Sequence, residues 1–146
     1  MSSANDNEYE FKRFNGDGAS SSIYNAGKIH KERFSEVRET GEVIKLKSKT
    51  LHTIMSSHGI NFNQKNKSML VVDVQGHELS VLEGTGDLIS KFDFLKCEVS
   101  NVEMYKGGTK FNDLDNFLKN NQFKLSSHPY WRVPDHGDVL YSKNKV

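Results

Sequence analysis

The sequence predicts an α/β protein in which two neighbouring strands of a sheet run parallel. The first observation is a short apolar run, Met69–Val72, that ends in a carboxylate, Asp73, and turns through Gly76 into an amphipathic segment. This order is typical of a buried strand that leads into a helix. The second observation is a further apolar stretch at residues 92–100, which follows after a connection of the right length for a right-handed β-α-β unit. The two strands are therefore expected to lie side by side.

The N-terminal third predicts a small peripheral hairpin. Residues 9–14 alternate aromatic and polar side chains, as in a half-buried strand, and two turn dipeptides at residues 15–18 end it. Residues 43–46 predict a second strand, which we expect to pair antiparallel with the first. Residues 24–41 are polar with few apolar anchors, so they predict a loop or a short, weakly packed helix.

Two helices are predicted before and after the central strand. The first covers residues 51–58, with Thr50 as the N-cap and Gly59 as the stop. His58 falls at the end of its apolar stripe and is expected to be a partly buried helix-end residue. The second helix is expected over about residues 77–90, directly after the central strand.

The C-terminal third predicts one more helix and two short strands. The helix has apolar residues at helical spacing and is expected to begin near Thr109 or Asn112. The strands are expected at residues 123–125 and 138–142. An aromatic-rich loop, residues 128–137, is expected between them.

Composition narrows the classes of protein and partner. The 146 residues suit one compact domain, and 20 Lys and Arg nearly balance 19 Asp and Glu. The basic residues are spread along the chain, so we expect neither nucleic acid nor an anionic membrane as a partner. The longest apolar run has four residues, and the N-terminus lacks a signal-peptide core, which favours a soluble, cytoplasmic protein. Cys97, within the second strand, is expected to be a buried small hydrophobe.

Two carboxylates are the best candidates for a catalytic role. Asp73 and Glu98 fall at the carboxyl ends of the two predicted parallel strands, which would be about 4.8 Å apart. Ligands of open α/β sheets bind in the crevice at this end of the strands. Paired acids there can orient a substrate hydroxyl or act as a general base. The alternative is that each carboxylate caps a helix or a loop amide.

The turn after the central strand and the C-terminal loop supply further candidates. Gln75 can reach the same crevice, and His77 could accept a proton near neutral pH; a solvent-exposed turn histidine is the alternative. Glu78 falls in the first turn of the helix, where interaction with free backbone N–H groups explains a carboxylate without any function. Trp131 is expected either to line a binding mouth or to plug the end of the sheet.

Motifs of several other chemistries are missing from the sequence. It contains no G-x-G-x-x-G or G-K-[ST] motif, so no phosphate loop is indicated. The six histidines form no H-E-x-x-H motif and no Cys/His cluster, and we expect no metal site. A G-x-S-x-G or Ser-His-Asp arrangement is also missing, which argues against a hydrolase.

One segment resembles a family signature. SMLVVDVQGHELSVLEG, residues 68–84, is similar to the D-V-x-G-x-E-x-x-V-L-x-G block of the FkbM family of methyltransferases that depend on S-adenosylmethionine. Weaker likenesses follow in the family's order over roughly residues 9–142: GDGASSS, a T-L-x-x-I helix start, KCEVS, VEMYKGGTKFNDLDNFLKNNQF and a final V-L-Y strand. The central block is the most specific of them.

The resemblance implies a fold and an activity. The fold would be part of a class I methyltransferase sheet, Rossmann-like, with parallel central strands, an antiparallel C-terminal strand and helices packed on the sheet. The activity would be methyl transfer from S-adenosylmethionine to a hydroxyl group of a sugar or another small molecule. The expected catalytic residues are Asp73, Glu98 and His77. The expected substrate-binding residues are Gln75, Tyr105 and Trp131.

The resemblance also implies what this chain lacks. Family members bind the cofactor through a glycine-rich D-x-G-A-N-x-G strand end and a downstream acid, and neither is in this sequence. We therefore expect a truncated, substrate-side half of the methyltransferase, without the first three strands of that fold. No cofactor-binding residue is assigned, and binding of S-adenosylmethionine by this chain alone is expected to be weak.

Two hypotheses about function follow. The chain is an incomplete methyltransferase, or it is a non-catalytic binding or assembly module that keeps a shortened form of the fold. In either case the strand at residues 68–73 would have an open edge, which recruits another strand unless something covers it. We expect a homodimer through this strand, and the alternative is that strand 9–14 folds over the edge.

Overall fold

The computed structural model describes residues 1–62, 66–133 and 135–144, with the side chains of all of these except residues 128–133. Its helices and strands in chain order are β1 (Glu8–Phe14), α1 (Lys28–Arg33), β2 (Glu39–Lys47), α2 (Leu51–Ser57), β3 (Met69–Val72), α3 (Glu78–Glu83), a 3₁₀ helix (Gly86–Lys91), β4 (Phe94–Ser100), α4 (Phe111–Asn120), β5 (Phe123–Val133) and β6 (His136–Lys143). The predicted α/β class is confirmed. None of the described helices has the length and apolar character that crossing a bilayer requires.

The main sheet has four strands in the order β3-β4-β6-β5. β3 and β4 run parallel, with Val72 beside Cys97, and β6 lies antiparallel to both β4 and β5. A parallel pair needs a crossover connection, which α3 and the 3₁₀ helix supply. The predicted parallel pair and antiparallel C-terminal strand are therefore both present.

Helices cover one face of this sheet. Alternate strand residues point to that face and are almost fully buried, among them Val72, Cys97 and Tyr141. They pack in one apolar core with residues of three helices: Leu51 and Met55 of α2, Val81 and Leu82 of α3, and Leu114 and Leu118 of α4. The opposite face carries the intervening residues. On β3 these are Met69 and Val71, which are 54% and 55% exposed.

The strands β1 and β2 form a separate antiparallel sheet, as predicted. A second, smaller core of Phe14, Ala26, Met104 and Tyr105 joins this hairpin to the rest of the chain. The alternative in which strand 9–14 folds over the edge of β3 is wrong, because β1 pairs with β2 instead. The short helix expected in residues 24–41 is α1.

The predicted helix over residues 77–90 is divided in two. α3 ends at Glu83, and the hydroxyl and N–H groups of Thr85 both donate to the carbonyl of Leu82. Gly84 lies against the N-terminal segment so closely that a Cβ there would be 2.0 Å from the carbonyl oxygen of Ser2. Contact with this distant segment ends α3, and the chain continues as a 3₁₀ helix.

The prediction of an aromatic-rich loop at residues 128–137 is wrong. β5 continues to Val133 and pairs with β6, which begins at His136. Its register shifts at three places, and these irregularities remove the strict alternation by which a strand is recognised in sequence. β5 is an edge strand, and Pro129 falls in the register shift between Ser127 and Tyr130, the kind of position where a sheet tolerates proline.

Three predictions about single residues have different outcomes. Thr50 caps α2, since its side chain accepts a hydrogen bond from the N–H of Thr53. Cys97 is fully buried, and burial raises the pKa of its thiol to about 12, as expected for a small core residue. His58 is exposed rather than partly buried, because it follows the last turn of α2 and points away from the sheet.

Candidate active site

The chain reverses direction immediately after β3. Gln75 and Gly76 have positive φ angles of 53° and 100°, a conformation that glycine adopts readily and other residues adopt rarely. The Glu78 carboxylate holds this turn, because its Oε1 atom accepts hydrogen bonds from the backbone N–H groups of Val74 (3.2 Å) and Gly76 (2.9 Å). Glu78 is almost fully buried, and burial raises its pKa. The structural role predicted for Glu78 is confirmed.

A larger residue in place of Gly76 would be strained, because the φ angle of 100° disfavours a side chain and the surroundings are tight. A Cβ at this position would be 3.1 Å from the Cβ of Tyr105 and 3.3 Å from a ring carbon of Tyr24. Its carbonyl oxygen accepts hydrogen bonds from the N–H of Thr109 at 2.8 Å and from the hydroxyl of Thr109 at 3.0 Å. These contacts fix the turn against the loop before α4.

The Thr109 hydroxyl also accepts a hydrogen bond from the N–H of Leu79 at 3.1 Å, in the first turn of α3. It is therefore engaged with the turn after β3 and cannot cap α4. α4 begins at Phe111, with Lys110 in the N-cap position and no side-chain cap. The helix therefore begins within two residues of Thr109 and Asn112, as predicted.

A pair of carboxylates lies at the carboxyl ends of β3 and β4. The Nε2 atom of Gln75 donates to Oδ1 of Asp73 at 2.6 Å and to Oε2 of Glu98 at 3.0 Å. Burial, the negative charge of Glu98 and a hydrogen bond with its carboxyl group raise the pKa of Asp73. The structure thus brings Asp73, Gln75 and Glu98 together, as their positions at the ends of parallel strands predict.

Tyr105 fixes the orientation of the Gln75 side chain. Its hydroxyl lies 2.8 Å from Oε1 of Gln75 and 3.0 Å from the carbonyl oxygen of Ser20. Because the tyrosine O–H donates to Oε1, the amide nitrogen of Gln75 faces the two carboxylates. The Gln75 backbone is held as well, since its carbonyl accepts a hydrogen bond from the Ser22 hydroxyl at 2.7 Å.

His136 is a site residue that the sequence analysis missed. Its Nε2 atom lies 3.1 Å from Oε1 of Glu98, and the two side chains are 19% and 10% exposed. Both oxygens of Glu98 are therefore engaged, one with His136 and the other with Gln75. The contact depends on the antiparallel register of β4 and β6, in which Ser100 faces His136. No local pattern around His136 indicates that register.

His77 contacts a different part of the molecule. Its Nδ1 atom lies 3.0 Å from the hydroxyl of Tyr24, and its Nε2 atom lies 3.1 Å from the hydroxyl of Ser2. Its ring packs edge-on against Tyr9, and burial lowers its pKa. The structure thus buries the predicted turn histidine between the hairpin and the N-terminal segment, and its ring nitrogens do not bond to either carboxylate.

The sequence analysis also makes a prediction about Trp131, as a substrate-binding residue, and about metal binding. The backbone of Trp131 belongs to β5, but its side chain lies outside the described residues, so its expected role in substrate binding stays a prediction. In the described part of the chain no group of three His, Cys, Asp or Glu residues is arranged to hold a metal ion.

A small cavity of about 20 Å³ adjoins Glu98, and Asp73 is not among the residues that line it. Its lining residues come from the turn after β3, from β4, from the loop before α4 and from β6, and they include Glu98, Tyr105 and His136. A cavity of this size holds one water molecule. The cavity can hold a water molecule or a hydroxyl group beside Glu98. Asp73 is exposed next to Glu98 and can accept a proton, since its raised pKa suits a general base.

The fold and this site define a methyltransferase-like α/β domain. The family model described as the methyltransferase FkbM domain matches residues 3–125, which is most of the chain. The chain therefore belongs to the FkbM family of methyltransferase domains. No curated protein and no solved structure matches it significantly.

Methyltransferases as a class imply S-adenosylmethionine, and the crevice can be tested for a fit to it. Sites for ligands of that size have volumes of about 300 Å³ or more, whereas the crevice cavity has about 20 Å³. The N–H groups of Val74 and Gly76, at the start of the turn, already donate to Glu78. The described residues of the crevice therefore do not fit the cofactor.

Proposed function

We propose that this chain forms the acceptor-binding side of an O-methyltransferase that depends on S-adenosylmethionine. The observation that carries the proposal is the Gln75 side chain, which bridges Asp73 and Glu98 at the carboxyl ends of two parallel strands. An acceptor hydroxyl would donate its hydrogen to the Asp73 carboxylate. Asp73 would then take the proton as the O–H bond breaks, and Glu98 would stabilise the protonated acid through the hydrogen bond between the two carboxyl groups.

The other site residues position this pair. Tyr105 fixes the Gln75 amide, and His136 holds the second oxygen of Glu98. The acceptor in this proposal is a small hydroxyl compound such as a sugar, because hydrogen-bonding groups predominate among these side chains.

A non-catalytic binding module is the second candidate function. The observation that favours it is the small crevice, together with the engagement of the Val74 and Gly76 N–H groups by Glu78. Such a module would bind the same hydroxyl compounds without transferring a methyl group. Both candidates therefore bind a hydroxyl compound, and they differ only in whether a methyl group is transferred to it.

The experiment follows the side-chain amide of Gln75 by NMR while monosaccharides and other polyols are titrated into the chain. A bound hydroxyl at the carboxylate pair should shift this resonance, and Asp73→Asn should reduce the shift. Ser126→Ala, an exposed change on β5, is the matched control and should leave it unchanged. A panel that never shifts the Gln75 amide, or that shifts it equally in Asp73→Asn, would contradict the proposed acceptor site.

Methyl transfer is then tested with the compound that binds. The chain is incubated with isotope-labelled S-adenosylmethionine at millimolar concentration, and the compound is analysed for a labelled O-methyl group. Label that depends on Asp73 supports the methyltransferase. Binding with no label, at a cofactor concentration at which calorimetry shows that the cofactor is bound, supports the binding module.

A further inference from the structure

β3 leaves one edge of the main sheet open. In the part of the chain that the structure describes, β3 pairs with β4 alone. The carbonyl oxygen of Ser68 accepts hydrogen bonds from the N–H groups of Asp93 and Phe94, so the backbone of Ser68 faces β4. Successive residues of a strand direct their N–H and C=O groups to opposite sides. Those of Met69 and Val71 therefore point to the open edge.

The side chains of these two residues are exposed as well. Met69 and Val71 are 54% and 55% exposed and lie on the sheet face that the core helices leave uncovered. An apolar strand with unpaired amide groups is a template for another strand. The question is which strand fits it.

The edge is complementary to itself. We propose that β3 pairs antiparallel with β3 of a second copy of this chain, about a two-fold axis at Leu70. Only residues whose amide groups face the edge can exchange hydrogen bonds, which restricts the register to odd residues opposite odd residues. With the axis at Leu70, Met69 faces Val71 of the second copy, and Lys67 faces Asp73 of the second copy.

Charge complementarity favours this register over the one with its axis at Val71. Each dimer contains two Lys67–Asp73 pairs at its ends and two Met69–Val71 pairs between them. With the axis moved to Val71, Asp73 would face Met69 and Lys67 would face Gln75, so that no charge would have an opposite partner. Opposite charges directly across a strand pair stabilise it, and like charges destabilise it.

Lys67 is available for this contact. Its side chain is 69% exposed and reaches Asp93 of its own chain at 2.9 Å, so in the dimer its ammonium group would lie between two carboxylates. It would also stand beside the like-charged pair Asp73 and Glu98 of the second copy. This inference goes beyond the proposed function and does not depend on methyl transfer.

The experiment reverses the charges and measures the monomer–dimer equilibrium by analytical ultracentrifugation over micromolar to millimolar concentrations. Lys67→Glu and Asp73→Lys each place like charges opposite one another and should weaken dimerisation about tenfold or more. The double variant Lys67→Glu/Asp73→Lys restores opposite charges with reversed polarity and should recover most of the affinity. Lys45→Glu, an exposed charge reversal on β2, is the matched control and should leave the equilibrium unchanged.

Circular dichroism and thermal unfolding show whether each variant keeps its fold. The recovery in the double variant separates loss of pairing from local damage at Asp73. A wild-type chain that stays monomeric throughout overturns the proposal. So does a dimer that neither single reversal weakens, or one that the double variant fails to restore.

Discussion

The Oε1 atom of Glu98 lies 3.1 Å from the Nε2 atom of His136, and the two residues belong to neighbouring antiparallel strands. A second pair on the same strands, Lys96 and Asp138, is 3.6 Å apart and more exposed. The two pairs therefore allow a half-buried contact to be compared with a surface contact in the same part of the sheet.

A double-mutant cycle with Glu98→Gln and His136→Asn should give a coupling energy of about 1 kcal/mol or more, because both groups are largely shielded from water. The matched cycle with Lys96→Met and Asp138→Asn should give less than about 1 kcal/mol, as exposed ion pairs do. Urea unfolding of the variants supplies the free energies. Equal coupling in the two cycles would mean that Glu98 and His136 behave as an ordinary surface pair.

Asp73→Asn should stabilise the fold at neutral pH. Asparagine keeps an acceptor for the Gln75 amide and removes a negative charge beside Glu98. Asp73 is exposed, so we expect a gain of less than about 1 kcal/mol in the free energy of unfolding. Glu83→Gln, an exposed carboxylate on α3, is the control and should show no comparable gain.

The stabilisation expected for Asp73→Asn should depend on pH in a definite direction. The folded-state pKa of Asp73 is raised, so its charge costs stability only where the folded state is ionised. The advantage of Asp73→Asn should therefore be complete at neutral pH and disappear as pH falls below about 4, where aspartate is protonated in both states. Unfolding measured over a pH series tests this, and a gain that persists in acid would contradict it. If Asp73 is the general base, the same variant should lower methyl transfer while stability rises.

Thr109→Val should lower the free energy of unfolding by about 1–3 kcal/mol, because it leaves the N–H of Leu79 without its hydrogen-bond acceptor. It also removes one of the two hydrogen bonds from Thr109 to the carbonyl of Gly76. Thr109→Ser keeps the hydroxyl and should cost much less. Thermal unfolding distinguishes the two variants, and an equal loss in both would show that the methyl group, which only Thr109→Ser removes, contributes as much as the hydroxyl.

His30→Phe should stabilise the chain by about 1 kcal/mol at neutral pH. The Nδ1 atom of His30 is buried without a hydrogen-bond partner among the described residues. Its ring lies among the rings of Phe14, Phe34 and Tyr105, at centroid distances of 5.3–5.6 Å. Phenylalanine keeps these contacts and buries no unpaired nitrogen. His52→Phe, on the exposed side of α2, is the control and should change stability by less than about 0.5 kcal/mol.

His30→Phe should also change how the free energy of unfolding depends on pH. Burial, and next the proximity of His136, lower the pKa of His30. The unfolded chain therefore takes up the proton first, and the wild-type fold loses stability as pH falls below about 6.5, the ordinary pKa of histidine. His30→Phe should weaken this loss, although His77, whose pKa is also lowered, should retain part of it. An unchanged slope of unfolding free energy against pH would contradict the assignment to His30.

The chain should not bind S-adenosylmethionine tightly. The crevice cavity of about 20 Å³ cannot hold it. Calorimetry with the cofactor up to millimolar concentration should give no dissociation constant in the micromolar range, where binding would be worth about −8 kcal/mol. A micromolar constant would require a cofactor site elsewhere on this chain.

The sequence by itself determined the strand, turn and helix that begin the site. The apolar run Met69–Val72 and the sequence from Asp73 to Gly76 act within a few residues. The β-branched valines favour the strand, and glycine permits a positive φ in the turn. The parallel pairing with β4 followed from the length of the connection. Asp73 and Glu98 could therefore be placed together, since both end parallel neighbours.

Tertiary structure alone decided which other side chains reach the carboxylates. His136 meets Glu98 only through the register of β4 against β6. The irregular pairing of β5 with β6 also hides β5 from a search for alternating residues in the sequence. His77 turns to Tyr24 and Ser2 because the hairpin and the N-terminal segment pack there. These contacts join residues far apart in the chain, and local periodicity carries no information about such distances. The physical reason is that register and packing are properties of two segments together, whereas a sequence pattern describes one segment at a time.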